Sequence, residues 1–283
     1  MNILVAGMKA NTTYHMQAKV VYDDGSSTEN ADQTFTTGAL PKAIPQFTVT
    51  PTSGLTPQPG VELVDPVSFP FSIPFATDLQ GNIVWTYTPP ESQQAGELIY
   101  PVKLLPNGHF TCLIGTSTSN SALLPPPPGS VNVIREFDLA GTLVRQLSMA
   151  NLNTKLAAAN FNLTLDVFSH DFAQLPNGHI LVITNTTKPF TNLPGYPGTT
   201  NVIGDVVVDL DQNLDPVWVW NEFDHLDVNR HPMNFPDWTH SNAIVYSPDD
   251  GNFLVSIRHQ YWIVKVDYRD GAGTGKHPVE TRA

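Results

Sequence analysis

The stretch VKLLPNGH at residues 102–109 recurs as FAQLPNGH at residues 172–179, and this repeat is the strongest indication of the fold. In each copy an apolar run ends at a Pro-Asn-Gly turn, and a new apolar run follows, at 110–115 and 180–184. Such a turn between two short apolar runs predicts a β-hairpin. A weaker third copy is VYSPDDGNFLV at residues 245–255. The interval of 70 residues between the first two copies therefore indicates a repeated supersecondary unit.

A second pair of predicted strands follows each hairpin and completes the unit. These pairs lie at residues 76–85, 133–144, 205–214 and, in part, 263–268. Four strands per repeat is the composition of one β-propeller blade. The alternative is a β-sandwich or barrel that reuses a common turn, but sandwiches do not normally repeat a four-strand unit at this period.

The repeat predicts an all-β chain with about three and a half propeller blades. The predicted blades span residues 45–95, 97–150, 165–223 and 238–283, and the last is incomplete. The propeller domain is predicted over residues 46–283, after a proline-containing linker at 40–45.

The sequence pattern of residues 1–39 predicts three strands, with a turn at Asp23-Asp24-Gly25. Their pattern resembles the second half of an immunoglobulin or fibronectin type III sandwich. Three strands cannot close such a sandwich, so we interpret the segment as a partial one. When the sandwich is complete, we expect it to provide the contact surface of a homodimer.

Composition limits the classes of partner. The chain has 283 residues, of which 41% are hydrophobic and 14% charged, and its net charge of −12 disfavours nucleic acid and anionic lipid. No apolar run reaches the roughly 20 residues of a membrane span, and the start, Met1–Ala6, is too short for a signal peptide. The one cysteine, Cys112, lies in an apolar run and is expected in the core.

Polar residues occupy the start of the first strand of each predicted blade. That strand lies nearest the channel of a propeller, so its first side chains face a shared funnel. Tyr100 and His170 each lie five residues before the leucine of the turn, and His240 is expected at the corresponding place in the next blade. The two histidines could form an acid/base pair or a metal site, or could bond neighbouring backbone. His109 and His179 are expected to be solvent-facing turn residues.

The stretches DWTHSNA at 237–243 and SIRH at 256–259 carry the most specific signal. With SHDF at 169–172 and the LPNGH turns, they closely resemble the bacterial arylsulfate sulfotransferases, across almost all of residues 45–275. The resemblance implies a six-bladed propeller that needs no nucleotide sulfate donor (PAPS), cofactor or metal. It also implies a periplasmic or secreted location.

The resemblance further implies a ping-pong reaction in which a histidine carries a sulfuryl group from a phenolic sulfate ester to a phenolic acceptor. By this analogy, His240, Asn242 and Arg258 hold the sulfuryl oxygens, and His170 adds a second imidazole. Guanidinium and N–H donors stabilise the negative charge of a sulfuryl group in transfer.

Three aromatic residues are candidates for contact with substrate. Tyr100 lies in the predicted funnel, and Trp238 and Tyr261 either flank an aryl ring or pack in the core. His259 follows Arg258 on a predicted strand, so it is expected to point to the opposite side of the sheet.

In the family, the sulfurylated histidine belongs to a later Gln-His element that this sequence lacks, and Lys276–Ala283 shows no strand periodicity. We therefore expect a truncated chain, as a frameshift would produce, with little or no turnover. One alternative is a non-catalytic propeller that binds an anionic or aromatic ligand. Another is a metal-dependent hydrolase using His170, Asp171 and His240, which the nearby charge of Arg258 disfavours.

Overall fold

The computed structural model describes residues 4–41, 44, 48–50, 52–67, 72–89, 97–116, 131–276 and 281–282. Strands predominate and pair antiparallel, which confirms the all-β class. Within these ranges, no helix has the length and apolar character needed to cross a membrane. Three residues of the predicted linker, at 42, 43 and 45, lie outside the described residues, as do 1–3, 277–280 and 283.

The N-terminal segment forms four short strands rather than the three predicted. Strand β1 (Thr13–Met16) pairs with β4 (Gln33–Thr36), and the inner pair is β2 (Lys19–Val21) with β3 (Ser27–Glu29). The predicted turn is present, since Gly25 has a φ of +82° and its N–H donates to the Tyr22 carbonyl over 2.9 Å. The partial sandwich stays a prediction.

The rest of the described chain forms a three-stranded sheet and three four-stranded sheets, in which consecutive strands are neighbours. The first comprises β5 (Glu62–Val64), β6 (Phe75–Thr77) and β7 (Ile83–Thr86). The second comprises β8 (Glu97–Leu104), β9 (Phe110–Thr116), β10 (Asn132–Phe137) and β11 (Leu143–Ser148). The third comprises β12 (Val167–Gln174), β13 (Ile180–Leu193), β14 (Tyr196–Leu210) and β15 (Pro216–Asn221). The fourth comprises β16 (Ser241–Ser247), β17 (Asn252–Ile257), β18 (Trp262–Val266) and β19 (Thr281–Arg282).

Among the described residues, four short helices lie between the strands, and none of them was predicted from the sequence. Helix α1 spans Met149–Ala158, α2 spans Glu222–His225, and 3₁₀ turns span Arg258–Gln260 and Arg269–Gly271. Ser148 caps the N-terminus of helix α1, because its Oγ accepts from the Asn151 N–H over 3.2 Å. Its buried residues have helical spacing: Met149, Leu152 and Leu156. Strand β19 also lies in the tail where no strand was predicted, and it pairs with β18.

The repeated LPNGH motif forms the same turn twice. The Gly108 N–H donates to the Leu105 carbonyl over 3.0 Å, and the Gly178 N–H to the Leu175 carbonyl over 2.9 Å. Both glycines have a φ of +84°, which a residue with a Cβ rarely adopts. The period-70 hairpins therefore follow from local turn chemistry.

The two turn histidines bind carboxylates, which corrects the expectation that they face solvent. His109 Nδ1 lies 2.8 Å from Glu136 Oε1, and His179 Nδ1 lies 3.0 Å from Asp209 Oδ1. Each carboxylate comes from the third strand of its own sheet, so each histidine joins the turn to that strand.

Consecutive sheets pack face to face through buried apolar clusters. Between the first two sheets, the Tyr87 and Phe137 rings stack with centroids 3.6 Å apart. Ile134 and Val182 share one cluster between the second and third sheets. Trp220, also in the third sheet, packs edge-on against Phe253 of the fourth. The stacked four-stranded units have the strand arrangement of propeller blades, and the six-bladed ring stays a prediction.

The first strands of the four-stranded sheets, β8, β12 and β16, lie side by side. Asp171 of β12 joins them, because its Oδ1 lies 2.5 Å from Lys103 Nζ and its Oδ2 accepts from the Ile244 N–H over 3.0 Å. Asp171 therefore links the three first strands, and the shared funnel stays a prediction. Cys112 is fully buried, and burial raises the pKa of its thiol.

Candidate active site

A bulge interrupts the first strand of each four-stranded sheet at the same level. Pairing shifts between Ile99 and Val102 in β8, between Phe168 and Phe172 in β12, and between Ser241 and Ala243 in β16. Bulges re-aim the side chains that they displace. The displaced residues are Tyr100-Pro101, Ser169-His170-Asp171 and Asn242.

This register corrects the position expected for His240. Asn242, and not His240, occupies the place in β16 that corresponds to Tyr100 and His170. His240 lies one residue before β16 and has a φ of +52°, while His170 has a φ of +40°. The left-handed backbone of both residues brings their rings together, edge to face, with centroids 4.6 Å apart.

His240 lies between an acidic group and a basic group. Its Nδ1 is 2.5 Å from Asp237 Oδ2, and its Nε2 is 3.3 Å from Arg258 Nη1. A carboxylate only accepts and a guanidinium only donates. The pair therefore holds the ring as the tautomer with its proton on Nδ1 and a lone pair on Nε2. Asp237 was quoted in the sequence motif, but its role was missed; its spacing of three residues before His240 was the available signal.

His259 also belongs to this cluster, and the expectation that it points to the opposite side was wrong. Side chains alternate between the two faces only within a strand, whereas residues 258–260 form a 3₁₀ turn that follows β17. His259 Nδ1 lies 2.8 Å from the Asp237 carbonyl oxygen, and its ring centroid is 4.7 Å from that of His240.

His170 is largely buried, and its Nδ1 lies 2.7 Å from Ser169 Oγ. Its pKa is lowered from 6.5 to about 4, mainly by burial and also by the nearby His240 and Arg258, while Asp237 and Asp171 act in the opposite sense. His170 is therefore a neutral imidazole at neutral pH, able to donate one hydrogen bond and accept another.

The remaining predicted site residues differ in how accessible they are. Tyr100 is 37% exposed, and burial together with the negative charges of Asp65 and Asp171 raises the pKa of its hydroxyl. Tyr261 is 64% exposed, and its hydroxyl lies 3.4 Å from the sulfur of Met233. Asn242 is half-buried in the bulge of β16.

Trp238 packs in the core, which was the alternative to substrate contact. It is 1% exposed, stacks on Phe223 with centroids 5.1 Å apart, and donates from Nε1 to the Arg230 carbonyl over 2.8 Å. Its indole has no exposed face for a ligand.

Three side chains in the cluster have donor atoms close enough together to bind one metal ion. The atoms of Asp237, His240 and His259 all lie within 4.8 Å of one another. The guanidinium of Arg258, 3.3 Å from His240 Nε2, opposes a second cation there. The predicted set of His170, Asp171 and His240 is not assembled, because the Asp171 carboxylate is bound by Lys103 and the Ile244 N–H.

The arrangement presents a fixed cation and two imidazoles on one polar surface, which suits an anionic group with several oxygens. Comparison with known families agrees with this chemistry: a sequence model described as arylsulfotransferase (ASST) matches residues 60–272. The chain belongs to the arylsulfotransferase family. A search of curated proteins returned no match.

The arylsulfotransferase match covers all three bulges and the whole cluster around His240. It begins at β5, after the N-terminal strands. By family the chain is therefore a transferase enzyme of the aryl sulfotransferase type.

Proposed function

We propose that this arylsulfotransferase moves a sulfuryl group from a phenolic sulfate ester to a phenolic acceptor by a ping-pong mechanism through a histidine, at the low turnover expected for this chain. In this proposal, His170, His240, Asn242 and Arg258 bind and polarise the sulfuryl group. The observation that carries it is the position of Arg258 Nη1, 3.3 Å from His240 Nε2, with the His170 ring 4.6 Å from the His240 ring.

The charge of Arg258 is available to an anion. Among the described residues it forms no ion pair with a carboxylate, and its side chain is exposed. The chain as a whole carries a net charge of −12, so this guanidinium is a local positive site on an acidic protein. A planar guanidinium matches two oxygens of a sulfuryl group, as it matches carboxylate and phosphate.

Transfer proceeds in two displacements. A histidine nitrogen attacks sulfur, an S–N bond forms, and the S–O bond to the aryl group breaks, releasing a phenolate that takes up a proton. The acceptor hydroxyl oxygen then attacks sulfur, loses its proton, and breaks the S–N bond. The leaving group is the phenolate in the first displacement and the histidine nitrogen in the second. In both displacements the sulfuryl group in transfer carries negative charge on its oxygens, so N–H donors fixed around the group stabilise the transition state more than the ester.

Tyr100 and Tyr261 are the proposed contacts for the aryl rings, because both have exposed side chains on segments related to those that carry the site residues. Tyr100 lies in the bulge that corresponds to His170, and Tyr261 follows the 3₁₀ turn that carries Arg258. Aromatic side chains bind aryl groups through offset or edge-to-face stacking.

The test uses 4-methylumbelliferyl sulfate as donor, with and without phenol and with and without a chelator. Phenol-dependent release that survives chelation supports the proposal, and release that stops on chelation supports a metal-dependent hydrolase instead. Mass spectrometry of the quenched enzyme shows whether His170 or His240 carries the sulfuryl group.

Arg258→Met should lower the transfer rate by about 10²–10³, the typical effect of removing one oxyanion donor. Arg269→Met is the matched control, because Arg269 is also exposed but pairs with Asp267 within its own turn. Equal rates for the two variants would contradict the proposal. Saturable donor binding that Arg258→Met abolishes, without phenol-dependent release, would favour a non-catalytic binding propeller.

A further inference from the structure

Two buried carboxyl groups lie directly behind the segment that carries His240. Asp205 on β14 is 4% exposed, and Glu222 at the start of α2 is fully buried. Neither touches the surface on which His240 and Arg258 meet. Carboxyl groups are rarely buried without partners, so their hydrogen bonds show what they do.

The partners of Asp205 are the two residues on either side of His240. Its Oδ2 accepts from Thr239 Oγ1 over 2.8 Å and from the Ser241 N–H over 2.7 Å. One oxygen atom therefore holds the backbone on both sides of the histidine.

Glu222 completes the network from the opposite direction. Its Oε1 lies 2.8 Å from Ser241 Oγ, and its Oε2 accepts from the Asp205 N–H over 3.1 Å. The same Asp205 N–H lies 3.0 Å from Thr239 Oγ1. The backbone and carboxylate of Asp205 are thus tied to Glu222, Thr239 and Ser241 at once.

His240 needs such support because its backbone is left-handed. A φ of +52° is unfavourable for a residue with a Cβ, and a residue stays there only when its surroundings impose it. With the usual backbone, the ring would leave the position between Asp237 and Arg258 that sets its tautomer.

We propose that Asp205 is a positioning residue for His240, and that it acts through Thr239 and Ser241 to hold the imidazole between Asp237 and Arg258. The proposal deepens the sulfuryl-transfer function and rests on it only for the kinetic readout. Burial raises the pKa of Asp205 and of Glu222; the charge of Asp237 raises the pKa of Asp205 further, and the charge of Asp205 raises that of Glu222 further. The other charged or titratable groups that face Asp205 are Asp237 and His240.

The test compares Asp205→Asn with Asp209→Asn. Asp209 is the matched control because it lies on the same strand, is 1% exposed, and accepts from the Tyr268 hydroxyl over 2.6 Å and from His179 Nδ1 over 3.0 Å. Both variants remove one buried charge, but only Asp205 touches the residues that flank His240.

The first readout is independent of turnover. In protein labelled with ¹⁵N-histidine, the ring signals of His240 are assigned by their absence in His240→Gln, and the wild-type ring should show the proton on Nδ1. Asp205→Asn should shift these signals towards the tautomer with the proton on Nε2, or towards an average of the two. Asp209→Asn should leave them unchanged. A folded Asp205→Asn protein with the wild-type His240 signals would overturn the proposal.

Thr239→Val provides a second variant if Asp205→Asn does not fold. It preserves the shape of the side chain but removes the hydroxyl that accepts from the Asp205 N–H and donates to the Asp205 carboxylate. This variant should therefore also shift the His240 signals. Unchanged signals would count against the proposal.

Where transfer is measurable, Asp205→Asn should lower kcat by about tenfold with little change in donor KM, because positioning affects the reacting geometry more than binding. A shifted His240 signal with no transfer in wild type would leave the positioning role supported and would count against the proposed function.

Discussion

His170 should make the stability of the fold depend on pH in a defined window. Its pKa falls from 6.5 to about 4 on folding, so between these values the unfolded chain binds a proton that the folded protein does not. The stabilisation is therefore complete above pH 6.5 and is lost as the pH falls towards 4. His170→Gln cannot take up this proton, so its unfolding free energy should depend less on pH over the same window.

The size of the effect follows from the shift. A difference of about 2.5 between the two pKa values corresponds to about 3 kcal/mol at 1.36 kcal/mol for each tenfold change in the equilibrium constant. The stability advantage of wild type over His170→Gln should therefore shrink by about 3 kcal/mol between pH 7 and pH 4.

Urea unfolding of both proteins at pH 7, 6, 5 and 4 measures this difference, and an NMR titration of the His170 ring measures its pKa directly. Arg258→Met should raise that pKa, because it removes a cation that disfavours a charged His170. Parallel pH curves for wild type and His170→Gln, or a His170 ring that titrates near 6.5, would contradict this prediction.

Three further predictions follow from individual contacts. Asp237→Asn replaces the charged partner of His240 Nδ1 by a neutral one, which should weaken that hydrogen bond by about 1–2 kcal/mol. In steady-state kinetics, kcat should fall by about tenfold with KM unchanged. An unchanged kcat would contradict the orienting role of Asp237. Gly204→Ala would place a Cβ 2.7 Å from the Phe223 ring, so urea unfolding should show a loss of about 1–3 kcal/mol, whereas Gly60→Ala, with nothing within 4 Å, should be nearly neutral. Cys112 should not react with a thiol reagent such as DTNB until the protein is unfolded, because it is fully buried and burial raises its pKa; rapid labelling of the native protein would show otherwise.

The parts of the fold that local chemistry controls could be predicted. The LPNGH repeat needs glycine at a φ of +84° and proline before it, and these preferences act within one turn. The hairpins and the four-strand unit therefore follow from the sequence. Helix α1 was not predicted although its apolar spacing is helical, because it lies between two predicted repeats of strands.

The candidate site could be predicted only in part. His170, His240 and Arg258 were expected in one site, and they do lie together. However, the register of β16 places Asn242, and not His240, in the bulge that corresponds to those of β8 and β12. The alternation rule failed for His259 because the chain leaves the strand at Arg258 and forms a 3₁₀ turn.

The all-β class, the hairpin turns and the resemblance to the arylsulfotransferases could be predicted from the amino-acid sequence, since they depend on neighbouring residues and on motif spacing. The positions of Asp237 and His259 beside His240, and of Asp205 and Glu222 behind it, depend on the folded chain. Asp205 is separated from Thr239 by 34 residues, and the two meet because β14 packs beside the segment before β16. The left-handed backbone of His240 depends on those distant contacts, so no pattern in its own neighbourhood reveals it.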